Sequence, residues 1–522
     1  VAVSDGGTSV TQSFQVEVTP GGSAPVFSGT TSDPSFKENS SITVQINASD
    51  PDGDPITLSI SNPSGFTITS NSTGFEITNS SGLAAGTYNV QGVITDTNSL
   101  KTLSFSFEIL VIAKGWQQLG VDIDGRGFGD NSGTSVSMNS DGSKIAIGAP
   151  SLGYGVGYVR VFEYSNNSWS QIGEDIEGAS LTDGFGESVS ISDDGTVLVV
   201  GSPRISATDT NATGGQDIGQ VSVHRWNGSA WTNEAYFNGN FVGGYTGKDV
   251  DISGDGNTII YGANEGLRGD VSSWEGLMKV WKFNGTAWAQ VGATIYGSST
   301  NQYDGDSVQV NTDGTIIAGA AWRYSDSRNN VGRARIFQLV NNAWSEIGDI
   351  KGTNAEDHAG TALSLSGNGS TVAILIPTFN ENGVDSGQVR VYKNNNGTWA
   401  QLGSGINGEA AGDHAVERGD LELNTDGTKL IIGSQLSDGG SSATEQIGNA
   451  RIFRYNTECT TSTCAEVDTW IQVGENILGE SPSDGSGASV EISSDGSKVI
   501  IGAECNDGGA GGTDCRGHAR IY

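Results

Sequence analysis

The sequence predicts an all-β chain: a seven-bladed β-propeller preceded by an antiparallel β-sandwich. Three repeating markers predict the propeller. The segment SDDGTVLVVGSP at 192–203 recurs as NSDGSKIAIGAP, SGDGNTIIYGAN, NTDGTIIAGAA, SGNGSTVAILIP, NTDGTKLIIGSQ and SSDGSKVIIGAE. The turn residues of these copies are Asp141, Asp194, Asp255, Asp313, Asn368, Asp426 and Asp495. Each copy is followed, after a variable loop, by a second marker of the type GYVRVFEY or GQVSVHRW. A tryptophan then marks a third phase, at Trp116, Trp169, Trp231, Trp288, Trp344, Trp399 and Trp470.

Each unit reads as four short strands of period two, separated by Gly and Asn turns and with no helical periodicity, which is the composition of a propeller blade. From the axis outward the strands are A (ESVSIS), B (TVLVVGS), C (GQVSVHRW) and D (WSQIGEDI). The ring therefore begins at Trp116 on a D strand and ends at Tyr522 on a C strand. Residues Trp116 to Gly120 are expected to close it as the outer strand of the seventh blade, because an open blade would leave an unpaired edge. Upstream, SITVQINAS sets Ile42, Val44 and Ile46 on one face, and TLSFSFEILV does the same with Leu103, Phe105, Phe107 and Ile109. Five further short strands lie between Phe27 and Ile94, so residues 22–113 read as a sandwich. Residues 1–20 read as the last strands of a preceding domain, 114–522 as the propeller, and the whole as a piece of a longer chain.

Composition narrows the partners. Lys plus Arg number 26 against 60 Asp plus Glu, a net charge of −34 that argues against nucleic acid and anionic membrane and makes divalent cations plausible partners. There is no apolar run of about 18 residues, so no membrane insertion is expected in this segment. Glycine is abundant at 78 residues but has no period of three, and with ten prolines it serves turns rather than a collagen helix. Charged residues are only 16% of the chain, which argues for a folded acidic protein over a disordered one.

The sequence FKENSSITVQINASDPDGDPITLSI resembles the cadherin-like, dystroglycan-type domains of extracellular adhesins. Within it, Asp50, Asp52 and Asp54 stand two residues apart on a turn, with Glu38 and Asp96 as completions, a set of hard oxygens of the kind Ca2+ takes. An acidic Asx turn built on Pro51 and Gly53 gives the same spelling. The segments GFGDNSGTSVS and IGAP resemble FG-GAP repeats of integrin-type propellers, and the strand order is similar to that of WD-repeat propellers. Most copies lack the alternating carboxylates of an FG-GAP calcium loop, so the Asp-Gly pairs read as hairpin turns. The in-phase acidic residues before strand A (Asp130, Asp183, Asp304, Asp357, Asp413 and Asp484) read as repeated structural elements.

The long, dissimilar loops run from D to A and from B to C and emerge on one face, where a rigid scaffold presents function. Tyr154, Trp274, Trp322, Tyr324 and Phe379 are its candidate ligand residues. With four histidines, no GxSxG elbow and no paired-Glu motif, no catalytic set is legible. The sequence reading is a non-enzymatic extracellular adhesion segment, resembling marine bacterial surface adhesins or phage fibre proteins, with the propeller as head. Its partner would be a protein or glycan on a cell surface, or neighbouring subunits. A structural subunit of a filament or virion is the alternative, and a glycan-active propeller enzyme stands behind both. The four cysteines are expected to pair locally, Cys459 with Cys464 and Cys505 with Cys515, in an oxidising extracellular or virion-surface setting.

Overall fold

The computed structural model describes the strands of residues 2–112 and, from 115 onward, all residues except 152–154, 207–216, 265–273, 299, 412–419, 438–445, 458–467 and 507–514. Among the described residues every regular element is a strand. The chain divides into two compact units, Val1–Trp116 with Tyr455–Glu475 and Gln117–Arg454 with Asn476–Tyr522.

In the first unit, one sheet runs in the order Ser9–Thr11, Ala2–Ser4, Ile42–Asn47, Gly74–Asn79, Thr67–Asn71. A second runs Ser35–Lys37, Thr102–Ile112, Gly86–Asp96, Ile56–Ile60. Its centre is a hairpin in which Val90 opposes Phe107 and Ile94 opposes Leu103, with Val90 and Ile94 fully buried. Ala2–Ser4 joins the first sheet through Val3 opposite Val44.

The second unit is a seven-bladed propeller. Blade two shows the plan, with Val189–Ile191, Val197–Ser202, Gln220–Trp226 and Trp231–Asn238 paired antiparallel in that order. Strand B is buried along its whole length because a neighbouring blade covers each face, which explains why it reads as a continuous apolar run. Strand A alternates for a different reason. In blade one, Val136 and Met138 pack with Ile500 and Ile521 of blade seven. The alternate residues turn the other way: Ser137 Oγ accepts the Ile191 amide of blade two (3.1 Å). Around the axis the same acceptor recurs, from Ser188 to Val250, Ser190 to Ile252, Ser364 to Leu423 and Ser489 to Val136.

Two further belts tie the blades. At the A–B turns, backbone amides donate to the next blade in a closed circuit. It runs Ser140 to Asp193, Asp193 to Gly254, Gly254 to Thr312, Thr312 to Gly367, Asn368 to Thr425, Thr425 to Ser494, and Ser494 back to Ser140, at 2.9 to 3.3 Å. The Asp-Gly pairs make those turns as Asx turns. Asp194 Oδ1 accepts the Thr196 amide (2.9 Å), and Gly195 supplies a φ of 65°. On the rim, indole Nε1 groups donate to the preceding blade: Trp169 to Leu119 O, Trp231 to Ile172 O, Trp344 to Val291 O and Trp399 to Ile347 O. Trp116 falls in the first unit, where its indole donates to Val473 O (3.2 Å).

Glycine in strand B is required by close approach. A Cβ on Gly262 would stand 1.7 Å from the Gly305 carbonyl oxygen of blade four, a backbone atom that cannot step aside. Blade seven is completed by the segment preceding blade one, but slightly later than the sequence suggests. The paired residues are Ile123 with Ala519 and Asp124 with His518, while the expected segment contributes one backbone bond, Leu119 N to Ile521 O (2.7 Å).

Candidate active site

Strand A of every blade starts at the long-loop face, and there the axis widens into a funnel of about 390 Å³. It narrows to about 90 Å³ toward the A–B turns. The positions that carry serine in blades one and two carry acids in blades three, six and seven: Asp249 and Asp251, Asp420 and Glu422, and Glu491. The sequence signal was present in KDVDIS, GDLELN and ASVEIS, where the belt departs from serine. Apart from Asp251, which with Ser253 and Asp255 in DISGDG offers a partial metal-ligand set, strand A reads from the sequence as architecture.

The aspartates keep the belt's inter-blade role and add charge to it. Asp249 Oδ2 accepts the Val308 amide (2.7 Å) while Oδ1 accepts Ser188 Oγ (3.0 Å) and the Val250 amide (3.0 Å). Asp251 repeats this with Val310 N (2.7 Å), Ser190 Oγ (2.8 Å) and Ile252 N (2.8 Å). Asp420 accepts the Leu421 amide at 2.8 Å and the Val490 amide at 3.3 Å. The glutamates are less engaged. Glu491 Oε2 accepts the Met138 amide (2.9 Å), and Glu422 Oε2 meets Gln309 Nε2 at 3.4 Å.

Burial among the seven blades raises all five carboxyls, and at Asp249 the charges of Asp420 and Asp251 add to it. Loss of bulk solvent is the largest cause, pushing Asp249 to about 7 and Asp251 and Asp420 to about 6 against the hydrogen bonds that hold them down. Glu491 rises to about 8, and Glu422 rises well above its ordinary value, with the charges of Glu491, Asp251 and Asp420 adding to burial. At the mouth, Glu187 pairs with Arg204 (2.9 Å) and Lys248 with Asp306, so the basic groups at the rim are already engaged. The funnel thus gathers five carboxyls that burial makes easier to protonate than exposed ones.

The long-loop face carries a second feature. Trp274, Tyr303 and Trp322 stack in sequence across blades three and four, with ring centroids 5.9 and 6.0 Å apart and interplanar angles of 30° and 23°. His358 of the loop into blade five stands edge-on to Trp322 at 5.3 Å, and the Arg323 guanidinium lies 4.4 Å from the Trp322 ring centre. All four rings are half-buried. Two members, Trp274 and Trp322, were singled out in the sequence. Tyr303 and Arg323 were missed because only the ring of blades brings their loops together, whereas His358 stands out in the sequence beside Asp357 but reads there as a repeated structural element. The positive φ of Tyr303 (58°) and His358 (50°) recurs in phase at Tyr245 (47°) and belongs to the scaffold.

The other expected residues are dispersed. Tyr324 lies under the Arg333 guanidinium (4.1 Å), and Phe379 packs on the core of blade five. Tyr154, Glu38, Asp50, Asp52, Asp54, Cys459 and Cys464 lie outside the described residues, as does the side chain of Asp96, whose backbone pairs with Ile56. Cys505 and Cys515 form a disulfide across the B–C connection of blade seven, in the expected local pairing. The in-phase acids cap their loops: Asp183 Oδ2 accepts the Ala179 amide (2.7 Å) and Asp357 Oδ2 the Thr353 amide (2.6 Å).

No family model and no curated relative matches the chain. Solved structures do. A candidate 6-phosphogluconolactonase of Bacteroides uniformis matches 75% of this chain and 93% of its own at 9% identity and a TM-score of 0.45. The propeller domain of the trilobed protease of Pyrococcus furiosus matches 85% and 97% at 10% identity and 0.35. Prolyl oligopeptidase B of Galerina marginata matches 85% of this chain and 55% of its own at 11% identity and 0.39. Such likeness shows the propeller fold and transfers no activity. The expectation of a non-enzymatic adhesion segment is set aside, since proteins named as a lactonase and as peptidases stand among the matched propellers. The physical reason for the miss is that propellers distribute polar groups over several blades, so a missing linear motif says nothing about catalysis.

Proposed function

We propose that the propeller is a hydrolase of neutral polysaccharides whose acid–base centre lies in the axial funnel. The observation that carries this is the set of buried carboxyls gathered in the funnel with separated proton affinities, Glu491 at about 8 above Asp251 and Asp420 at about 6. Near pH 7 a protonated glutamic acid donates to the leaving oxygen of a glycosidic bond. An ionised aspartate takes a proton from the water that adds to the sugar carbon, so the bond breaks with water shared between the two products. The acidic funnel repels anionic polymers, and the stack of Trp274, Tyr303 and Trp322 offers flat apolar faces to sugar rings. Reducing-end assays on a panel of glucans, xylans and mannans test the reading. Glu491→Gln should leave the fold intact and cost at least about 100-fold in rate. Unchanged rates in that variant, or no hydrolysis across the panel by the wild-type chain, would refute it.

The same proposal takes residues 22–113 as a cadherin-like module carrying Ca2+ at Asp50, Asp52 and Asp54, supported by the SDPDGDP motif. Adding a calcium-selective chelator to the full chain should lower a melting transition that millimolar Ca2+ restores. A melting curve indifferent to both would remove calcium from the proposal.

A further inference from the structure

His518 lies on strand C of blade seven, in register with Asp124 of the closing strand, and its side chain is about 1% exposed. The six corresponding residues of the other blades are Tyr158, Gln220, Leu277, Arg333, Gln388 and Asn449, so histidine occurs at this register only here. Neither of its ring nitrogens has a hydrogen-bond partner. A buried imidazole with both nitrogens unmatched is costly, and native cores seldom keep one. Its surroundings supply the complement. Asp122 Oδ2 stands 3.8 Å from His518 Nδ1, and one oxygen of Glu480 joins them so that all three ligand atoms lie within 4.8 Å of one another. Among the described residues, these are the ones that come together in a metal-ligating group.

We propose that Asp122, Glu480 and His518 bind a divalent transition-metal ion that fastens the closing strand to blade seven. One neutral imidazole nitrogen and two carboxylate oxygens form a donor set suited to Zn2+ or Mn2+, and imidazole disfavours Ca2+ and Mg2+. Ligands at about 2.0–2.1 Å on a tetrahedral ion stand roughly 3.3 Å from one another, so contraction from the present spacing is on the order of half an ångström per side chain. Buried and without a hydrogen-bond partner on either ring nitrogen, His518 has a nitrogen free to coordinate. Asp122 and Glu480 are partly exposed, at 30% and 38%, which leaves an open side for the ion to arrive and for a water to complete the shell. Around the pocket, Arg520 Nη1 stands 3.9 Å from Glu480 Oε1, and Asn506 Nδ2 donates to Glu480 Oε2 (3.3 Å), holding that carboxylate in place. The three ligands come from the closing segment, from the loop leading into blade seven and from strand C. An ion there therefore cross-links the two ends of the ring, at residues nearly 400 positions apart in sequence.

The test uses the full chain stripped with a chelator and titrated with Zn2+ by calorimetry. The wild-type chain should take up one equivalent lost in His518→Gln, and its melting temperature should rise with Zn2+. Asp122→Asn and Glu480→Gln keep shape at partly exposed positions, so they remain folded whatever the effect of changing His518. Each should weaken Zn2+ binding at least about tenfold. Co2+ bound in place of Zn2+ should give a visible absorption band that His518→Gln lacks. Equal Zn2+ uptake by the wild-type chain and the two carboxamide variants, or no uptake by any, would overturn the proposal.

Discussion

Raising the pH from 6.5 to 9 should lower the melting temperature of this protein by something on the order of 5 °C. Ordinary acidic proteins change little over that interval. Here Asp249 titrates near 7 and Glu491 near 8, with Glu422 also displaced upward, whereas the same groups in the unfolded chain are ionised above about pH 5. The folded state therefore binds more protons than the unfolded one, and stability is greatest below the unfolded values and declines as pH climbs through the folded ones. The window from 6.5 upward isolates these carboxyls. His224 and His518 are held down to about 4 by burial, so they oppose folding only as pH falls below their ordinary 6.5. The Asx-turn carboxyls act lower still. At Asp194 partial burial works upward but is outweighed by hydrogen bonds from Thr196 and Ser192, so its contribution disappears only below about pH 4. In a Glu422→Gln, Glu491→Gln double variant the slope between 6.5 and 9 should flatten. A wild-type chain whose stability rises over that range would contradict the assignment.

Ile123→Asp should destabilise the propeller by at least about 3 kcal/mol, read as a large fall in melting temperature. Ile123 is 7% exposed and sits in the seam between blades seven and one, in a cluster with Val136, Ile145, Phe162, Ile500 and Ile521, with Leu119 packed against it. Its strand also covers the outer edge of blade seven through the pairs with Ala519 and Asp124 with His518. A carboxylate there loses the apolar burial and loosens the edge at once. Melting within a degree or two of wild type would mean that the ring is held without its closing strand.

Much of this fold was legible because a propeller writes the same interfaces seven times. The DG turns, the strand-B runs and the seven tryptophans each mark one belt, and each belt is present in the structure at the phase the sequence assigns. The closing strand was legible in kind but misplaced: the residues near Trp116 look like every other D strand, whereas the pairing with strand C falls on Ile123 and Asp124. Recognising the funnel required reading departures from the repeat. Asp249, Asp420 and Glu491 look unexceptional alone, and only blade geometry turns alternate residues of separate strands toward one axis. The aromatic stack was half visible for the same reason, since Trp274 and Trp322 owe their connection to Tyr303 of an intervening loop. The absence of a linear catalytic motif decides nothing about function, because nothing in a propeller obliges cooperating side chains to be near in sequence.

The most direct measurement is a carbon-13 NMR titration of the glutamate side-chain carboxyls, with Glu422 and Glu491 assigned from their single Gln variants. An acid–base centre in the axial funnel predicts that Glu491 titrates near 8 and Glu422 well above the ordinary glutamate range, each shifting when the other is replaced. Midpoints near 4.5 for both, unmoved by the partner's replacement, would contradict it.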